Sequence, residues 1–230
     1  MKSDIVSFQN ELAKWLQKPQ SIILLEKEKH FMASFSSAIF GFHAVQLGFP
    51  FVDFLSGFRI QKKITAGLAY FDKTPDILCE IAALPIASES MDLVILPHVL
   101  EFSGNPHAIL REVERILIPE GHLLLTGFHK YSLGVLRKFL DKKNEFPWFG
   151  QFVSASRLKD WLMLLNFEVK TQRLTPFYTF LEPSVYTLHA IKRRCAMRLI
   201  VPNFPIFSQT APVVPAKTCG VLQCPPKTKP

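Results

Sequence analysis

Glycine is scarce in this chain, with 10 residues among 230 against 17 prolines. A phosphate-cradling loop needs glycines close together, because only they let a ligand approach the backbone. The sequence offers little for one. Cysteine is sparse too: Cys79, Cys195, Cys219 and Cys224. No two have the two-residue gap of a zinc ribbon or a thioredoxin-like motif. Cys219 and Cys224 have four residues between them and no nearby histidine, so no metal site is expected. Free thiols in a reducing, cytoplasmic setting are the simplest expectation. Residues 1–10 carry Lys2 and Asp4 and no apolar run, so no signal peptide is expected. Asp, Glu, Lys and Arg are missing from Phe31 to Val52, a stretch long enough to span a bilayer. Its Ser34, Ser36, Ser37, His43, Gln46 and Pro50 argue instead for a buried helix and strand, and no transmembrane segment is expected.

What is present is enough for a core. Apolar residues make up 48% and charged residues 20%, which excludes wholesale disorder. Seven prolines fall between Pro202 and Pro230, with Lys217, Lys227, Lys229 and no acid. The remaining 24 basic and 19 acidic residues leave a body of charge +5. Mild basicity favours anions without choosing among them. The expected organisation is a helical segment over 1–40, one α/β domain over 41–201 and a disordered proline-rich tail over 202–230.

Along the chain, Phe8, Leu12, Trp15 and Leu16 share one face of a short helix that Pro19 ends. A second helix is expected over Leu25 to Phe40, with Gly41 as its cap. Strands are expected at His43 to Gly48, Phe58 to Thr65, Ile77 to Ile81, Met91 to Leu96, His122 to Thr126, Phe167 to Lys170 and Tyr186 to Ile191. Asn105 and Pro106 open a helix whose Ile109, Leu110, Val113, Ile116 and Leu117 form its apolar stripe. Further helices are expected over Ser132 to Leu140 and Ser154 to Leu165. Such alternation predicts a mainly parallel sheet covered on both faces. Ligands of such sheets sit at the carboxyl ends of the strands, where strand order reverses.

The run Glu80 to Ala83, Leu84-Pro85, then Asp92-Leu93-Val94 resembles the middle of class I S-adenosylmethionine-dependent methyltransferases, closest to their type-11 group. The likeness continues through Leu110-Arg111-Glu112, Arg115-Ile116-Leu117, Pro119 and Gly121, and on through Arg157-Leu158, Trp161-Leu162, Leu165 and Phe167-Glu168-Val169. It implies a Rossmann-like doubly wound α/β sheet, mostly parallel with an antiparallel last strand. It also implies a methyltransferase that takes S-adenosylmethionine as cofactor. The acceptor it implies is an unknown, small-molecule one, with no nucleic acid partner.

Carried over position by position, the resemblance implies a cofactor site of Gly48, Phe49, Glu80, Ile81 and Pro97. Glu80 would lie beside the adenine, with Ile81 giving apolar or backbone contact. His98 follows the fourth strand and is the candidate general base, since histidine can hold or release a proton near neutral pH. Asp92 stands at that strand's amino end and reads as structural. The glycine-rich first motif is degenerate: it is reduced to Gly48-Phe49-Pro50, and no acidic residue stands clearly at the end of the second strand. A methyltransferase fold kept as a non-catalytic binding or scaffold protein is therefore the alternative. A third reading is a basic module built on Lys62-Lys63, Lys192-Arg193-Arg194 and the tail.

Overall fold

A computed structural model describes residues 19–68, 74–128, 153–175 and 185–194. All of them belong to one compact unit, Met1–Cys195. The helices expected over 8–18 and 132–140, the tail, and Cys195, Cys219 and Cys224 lie outside the described residues.

Three α-helices and seven strands are described. In chain order they are α1 (Pro19–Ala33), β1 (Phe40–Leu47), β2 (Arg59–Gly67), β3 (Ile77–Leu78), β4 (Met91–Pro97), α2 (Pro106–Ile116), β5 (Leu117–Phe128), α3 (Ala155–Leu164), β6 (Phe167–Thr175) and β7 (Val185–Lys192). The strands form one sheet in the order β3-β2-β1-β4-β5-β7-β6. The first five are parallel, and β7 runs antiparallel to both neighbours. Strand order thus reverses between β1 and β4, where the sheet's ligand crevice is expected.

Both faces of the sheet are buried, which is why its central strands read as continuous apolar runs. Alternate residues serve the two faces. Val45, Val94, Leu96, Leu123 and Leu125 pack with Ile109, Leu110 and Val113 of α2 and Leu158 and Leu162 of α3. Ala44, Leu93, Ile95 and Leu124 pack with Leu24, Leu25 and Met32 of α1. The connection from β1 to β2 has no helix; Phe49, Phe54, Leu55 and Phe58 fill the space a crossover helix would take.

Several boundaries differ from expectation. The helix placed at Leu25 to Phe40 runs instead from Pro19 to Ala33. Pro19 is its first residue, where a proline loses no helical hydrogen bond. Gly41 lies inside β1 instead of capping a helix; a Cβ there would come within 2.4 Å of the Asp92 Cβ. Asp92 Oδ2 accepts from the Phe42 and His43 amides, both at 2.9 Å, and ties the amino ends of β4 and β1 together. β3 is shorter than expected, Ile77–Leu78 only. Pro119-Glu120-Gly121 lies inside β5 as an irregularity: Glu120 takes a positive φ of 66°, and the pairing with β4 shifts register between Leu117 and His122.

Polar groups tie the helices down. Asn105 Oδ1 caps α2 through the Ala108 amide (3.1 Å), as its position predicts. The Arg115 guanidinium bonds Glu112 (2.8 Å) and the carbonyls of Leu84 (3.0 Å) and Ile86 (2.8 Å), fixing the turn before β4 onto α2. Lys192 is buried, and its Nζ donates to Glu114 O (2.6 Å) and Leu117 O (3.0 Å) at the carboxyl end of α2. There it meets the negative end of the helix dipole. Arg193 pairs with Glu120 and Glu168. Two of the three cations in the Lys192-Arg193-Arg194 run are thus engaged, Lys192 in the interior and Arg193 by surface carboxylates, which weakens the basic-module reading.

Candidate functional site

The loop after β1 begins at Gly48, with φ of 69°. Its N–H donates to Ala66 O at 2.7 Å, drawing the ends of β1 and β2 together. A Cβ on Gly48 would lie 2.9 Å from Val99 Cγ2 and 3.4 Å from Ile81 Cδ1. A Cβ on Gly67, the last residue of β2, would lie 3.2 Å from the Gly48 backbone. Glycine is required at both positions by φ and by this approach. So the carboxyl ends of β1 and β2, the segment after β3 and the turn after β4 meet at one point.

Phe49 also takes a positive φ, 54°, which a bulky residue adopts only when its surroundings enforce it. Gln46 supplies the enforcement. It is fully buried, and its Nε2 donates to Phe49 O (2.9 Å) and Val52 O (2.8 Å). Its Oε1 accepts from the Phe54 amide (3.0 Å). Three backbone groups of the loop are satisfied by one side chain. A glutamine does here what a glycine-rich sequence does through freedom of backbone.

The turn after β4 is built on His98, which has φ of 51° and is 1% exposed. Its Nε2 meets Glu28 Oε1 of α1 at 3.0 Å, and its Nδ1 meets Glu101 Oε2 at 3.2 Å. Both carboxylates are as buried as the ring. Glu101 Oε1 also accepts from the Phe128 amide at the end of β5. The Phe128 ring lies 4.2 Å from the imidazole and that of Phe49 6.1 Å, between centroids. Burial by itself would lower the His98 pKa; the charges of Glu28 and then Glu101 outweigh it and raise it to about 10. An imidazolium with both N–H groups engaged has no lone pair with which to take a proton.

The remaining residues named from the sequence lie along the same edge. Pro97 is buried at the end of β4 beside Thr126. Ile81 is half-buried against Gly48, and Glu80 is exposed. Gly48, Ile81 and the turn carrying His98 are thus brought together, with Glu80 at the rim. Among the described residues no group of three or more metal-binding side chains forms, and no helix is long and apolar enough to cross a membrane.

The sequence reading missed Gln46, Glu28 and Glu101. Glu28 carried a signal: it interrupts the stripe of Leu24, Leu25 and Met32 on α1, and a charge inside an apolar stripe needs a buried partner. Glu101 and Gln46 carried none, because the loop backbone groups and the strand end they serve take their positions only in the fold.

Residues 60–125, from β2 to β5, match a family model described as "Methyltransferase domain". The chain has the fold of the class I methyltransferases. The chain is 40% identical over 87 residues to the uncharacterized protein YafS of Escherichia coli, a match over 37% of this chain and 36% of that one. The chain thus spans about a third of this curated relative. Its fold is similar to that of a SAM-dependent methyltransferase from Thermotoga maritima, with TM-score 0.61 and 19% identity over 84% of this chain and all of that one. It is also similar to the [4+2]-cyclase SpnF, with TM-score 0.57 and 13% identity over 73% of this chain and 81% of that one.

The residues present fit the nucleoside part of an S-adenosyl cofactor. Ile81 offers an apolar side chain beside Gly48, and Glu80 an exposed carboxylate for the adenine amino group. They fit the amino-acid part less well, because the Gly48 N–H is already engaged by Ala66 O.

Proposed function

We propose that this chain is an S-adenosylmethionine-dependent methyltransferase acting on a small-molecule acceptor. The observation that carries the reading is the meeting of Gly48, Gly67, Ile81 and Val99 at the carboxyl ends of β1, β2 and β4. The order-reversal point of the sheet lies there, where doubly wound folds bind ligands. Gly48, Phe49, Glu80, Ile81 and Pro97 would hold the cofactor, which supplies an activated methyl group when bound. Methyl transfer is an in-line displacement and depends mostly on orientation and on a free acceptor lone pair. The chain's part is therefore to bind, to align and to keep the site dry. Phe49 and Phe128 exclude water around the β4 turn. His98 enters as a positioning cation rather than a base, and an acceptor that already has a lone pair suits such a site. A cytoplasmic setting goes with the unbridged Cys79.

Calorimetry with S-adenosylhomocysteine tests this reading. Saturable binding is expected, and Glu80→Ala should weaken it about tenfold by removing a charge-assisted hydrogen bond. No heat at millimolar ligand would sink the proposal. The non-catalytic reading draws on the engaged Gly48 N–H and the Val99 contact, and on the cyclase fold of SpnF, which separates fold from methyl transfer. Binding without turnover on a broad set of amine, thiol and hydroxyl acceptors would favour it.

A further inference from the structure

Glu28 is 70 residues from His98 in sequence, yet it lies in contact with the ring. It reaches down from α1, the helix that packs over the sheet face containing Leu93, Ile95 and Phe128. Its carboxylate meets the one ring nitrogen of His98 that Glu101 does not take. The imidazole therefore joins α1, the short helical turn Leu100–Phe102 and, through Glu101, the end of β5. Val99, next to His98, is the residue whose side chain lies over Gly48. A shift of the ring shifts the backbone that carries Val99.

We propose that Glu28 is a positioning residue: through His98 it fastens α1 to the turn after β4, and so sets where Val99 stands over Gly48. The inference deepens the methyltransferase reading, because this turn borders the proposed cofactor site. It does not depend on that reading for its test. The positive φ of His98 supports it, since a non-glycine residue holds that conformation only when its surroundings over-determine it. Van der Waals packing alone would need no acid at Glu28; a leucine would continue the apolar stripe of Leu24, Leu25 and Met32.

The test uses the full chain with Glu28→Gln, Glu28→Asp and Glu101→Gln, read in three ways. The first is the nitrogen NMR signature of the His98 ring at pH 8. The wild type should show both ring nitrogens protonated, and Glu28→Gln should move the ring toward the neutral form. The second is amide hydrogen exchange. In Glu28→Gln, amides of α1 and of 98–102 should exchange about tenfold faster while those of β4 and β5 keep their protection. Glu28→Asp, which keeps the charge on a shorter arm, should restore part of the ring signature. The third is S-adenosylhomocysteine affinity, which should fall with the first two. An unchanged ring signature in Glu28→Gln overturns the proposal, as does a rise in exchange spread evenly over the whole sheet. If the wild type binds no S-adenosylhomocysteine, the functional reading fails. The ring and exchange results then still decide whether Glu28 fastens the turn.

Discussion

Two histidine centres sit on the same sheet and hold opposite charge states. At the carboxyl end, His98 lies between Glu28 and Glu101. Nearer the amino end, His122 of β5 and His189 of β7 face each other, with Nδ1 of one 3.0 Å from Nε2 of the other. One ring must donate and the other accept, so that pair needs at least one neutral imidazole. Burial, then His122 and Lys170, lower the pKa of His189 to about 4. Burial likewise lowers that of His122, against the opposing pull of Glu120 and Asp92. The residue type is the same, and the first centre is fully buried while the second is partly so. What differs is the partner: two carboxylates outweigh the cost of burying a cation, and a second imidazole adds to it.

The largest expected effect comes from breaking the first centre unevenly. His98→Phe leaves the buried carboxylates of Glu28 and Glu101 without the cation between them. A loss of about 3–5 kcal/mol in urea unfolding is expected, the usual cost of an uncompensated buried charge. Replacing the cluster together, with Glu28→Leu, His98→Phe and Glu101→Leu, should cost far less, because no charge is left behind. If single and triple variants lose the same amount, the carboxylates are not acting on an imidazolium.

The second test separates the centres by pH. His98 has a raised folded pKa, so its contribution to stability is fully present below about pH 6.5 and is lost as pH rises toward about 10. His189 has a lowered one, so its contribution is present above about pH 6.5 and is lost as pH falls toward about 4. The two centres thus squeeze stability from opposite sides. His189→Phe should flatten the acid limb, by roughly 2–3 kcal/mol between pH 7 and 4, and leave the alkaline limb as it was. Melting curves of wild type and variant across pH 4 to 10 check this.

A half-exposed ion pair provides the contrast to both. Arg115 and Glu112 sit on the opposite face of the sheet, and Arg115 also serves two carbonyls. Arg115→Ala should cost about 1–3 kcal/mol in chemical unfolding, from the orphaned carbonyls more than from the charge. The effect should barely respond to salt. The smallest change lies between the centres, where Thr126 and Thr187 are buried cross-strand neighbours whose hydroxyls have no partner among the described residues. Thr126→Val with Thr187→Val should leave stability equal or raise it by about 1 kcal/mol, because no hydrogen bond is lost. A clear loss in melting temperature would mean that a buried water joins them.

Much of the fold was legible because it rests on local signals. The apolar run Met91 to Leu96 reads directly as a buried strand, and Asn105-Pro106 as a helix start. The family resemblance from Glu80 to Val169 gave the mostly parallel sheet with its antiparallel strand, and that is the fold found. Gly41 misled, since the glycine expected to cap a helix lies inside a strand against Asp92. The site was less legible. Gly48 stood out as a lone glycine after a strand, and it does lie where β1, β2 and β4 meet. The means of shaping its loop did not, because Gln46 acts through backbone groups whose positions only the fold defines. His98 drew attention as a titratable residue at a strand end. Its charge state depends on Glu28, which is 70 residues away in sequence and which no spacing rule connects to it. The shortage of glycine therefore marks a site held by buried polar side chains.

The most direct measurement is backbone and side-chain NMR of the wild type during titration with S-adenosylhomocysteine. Saturable shifts are expected at Gly48, Phe49, Glu80, Ile81 and the turn from Pro97 to Phe102, with the His98 ring protonated on both nitrogens throughout. Shifts confined to the amino end of the sheet, or none at saturating ligand, would contradict a cofactor site built on Gly48 and steadied by His98.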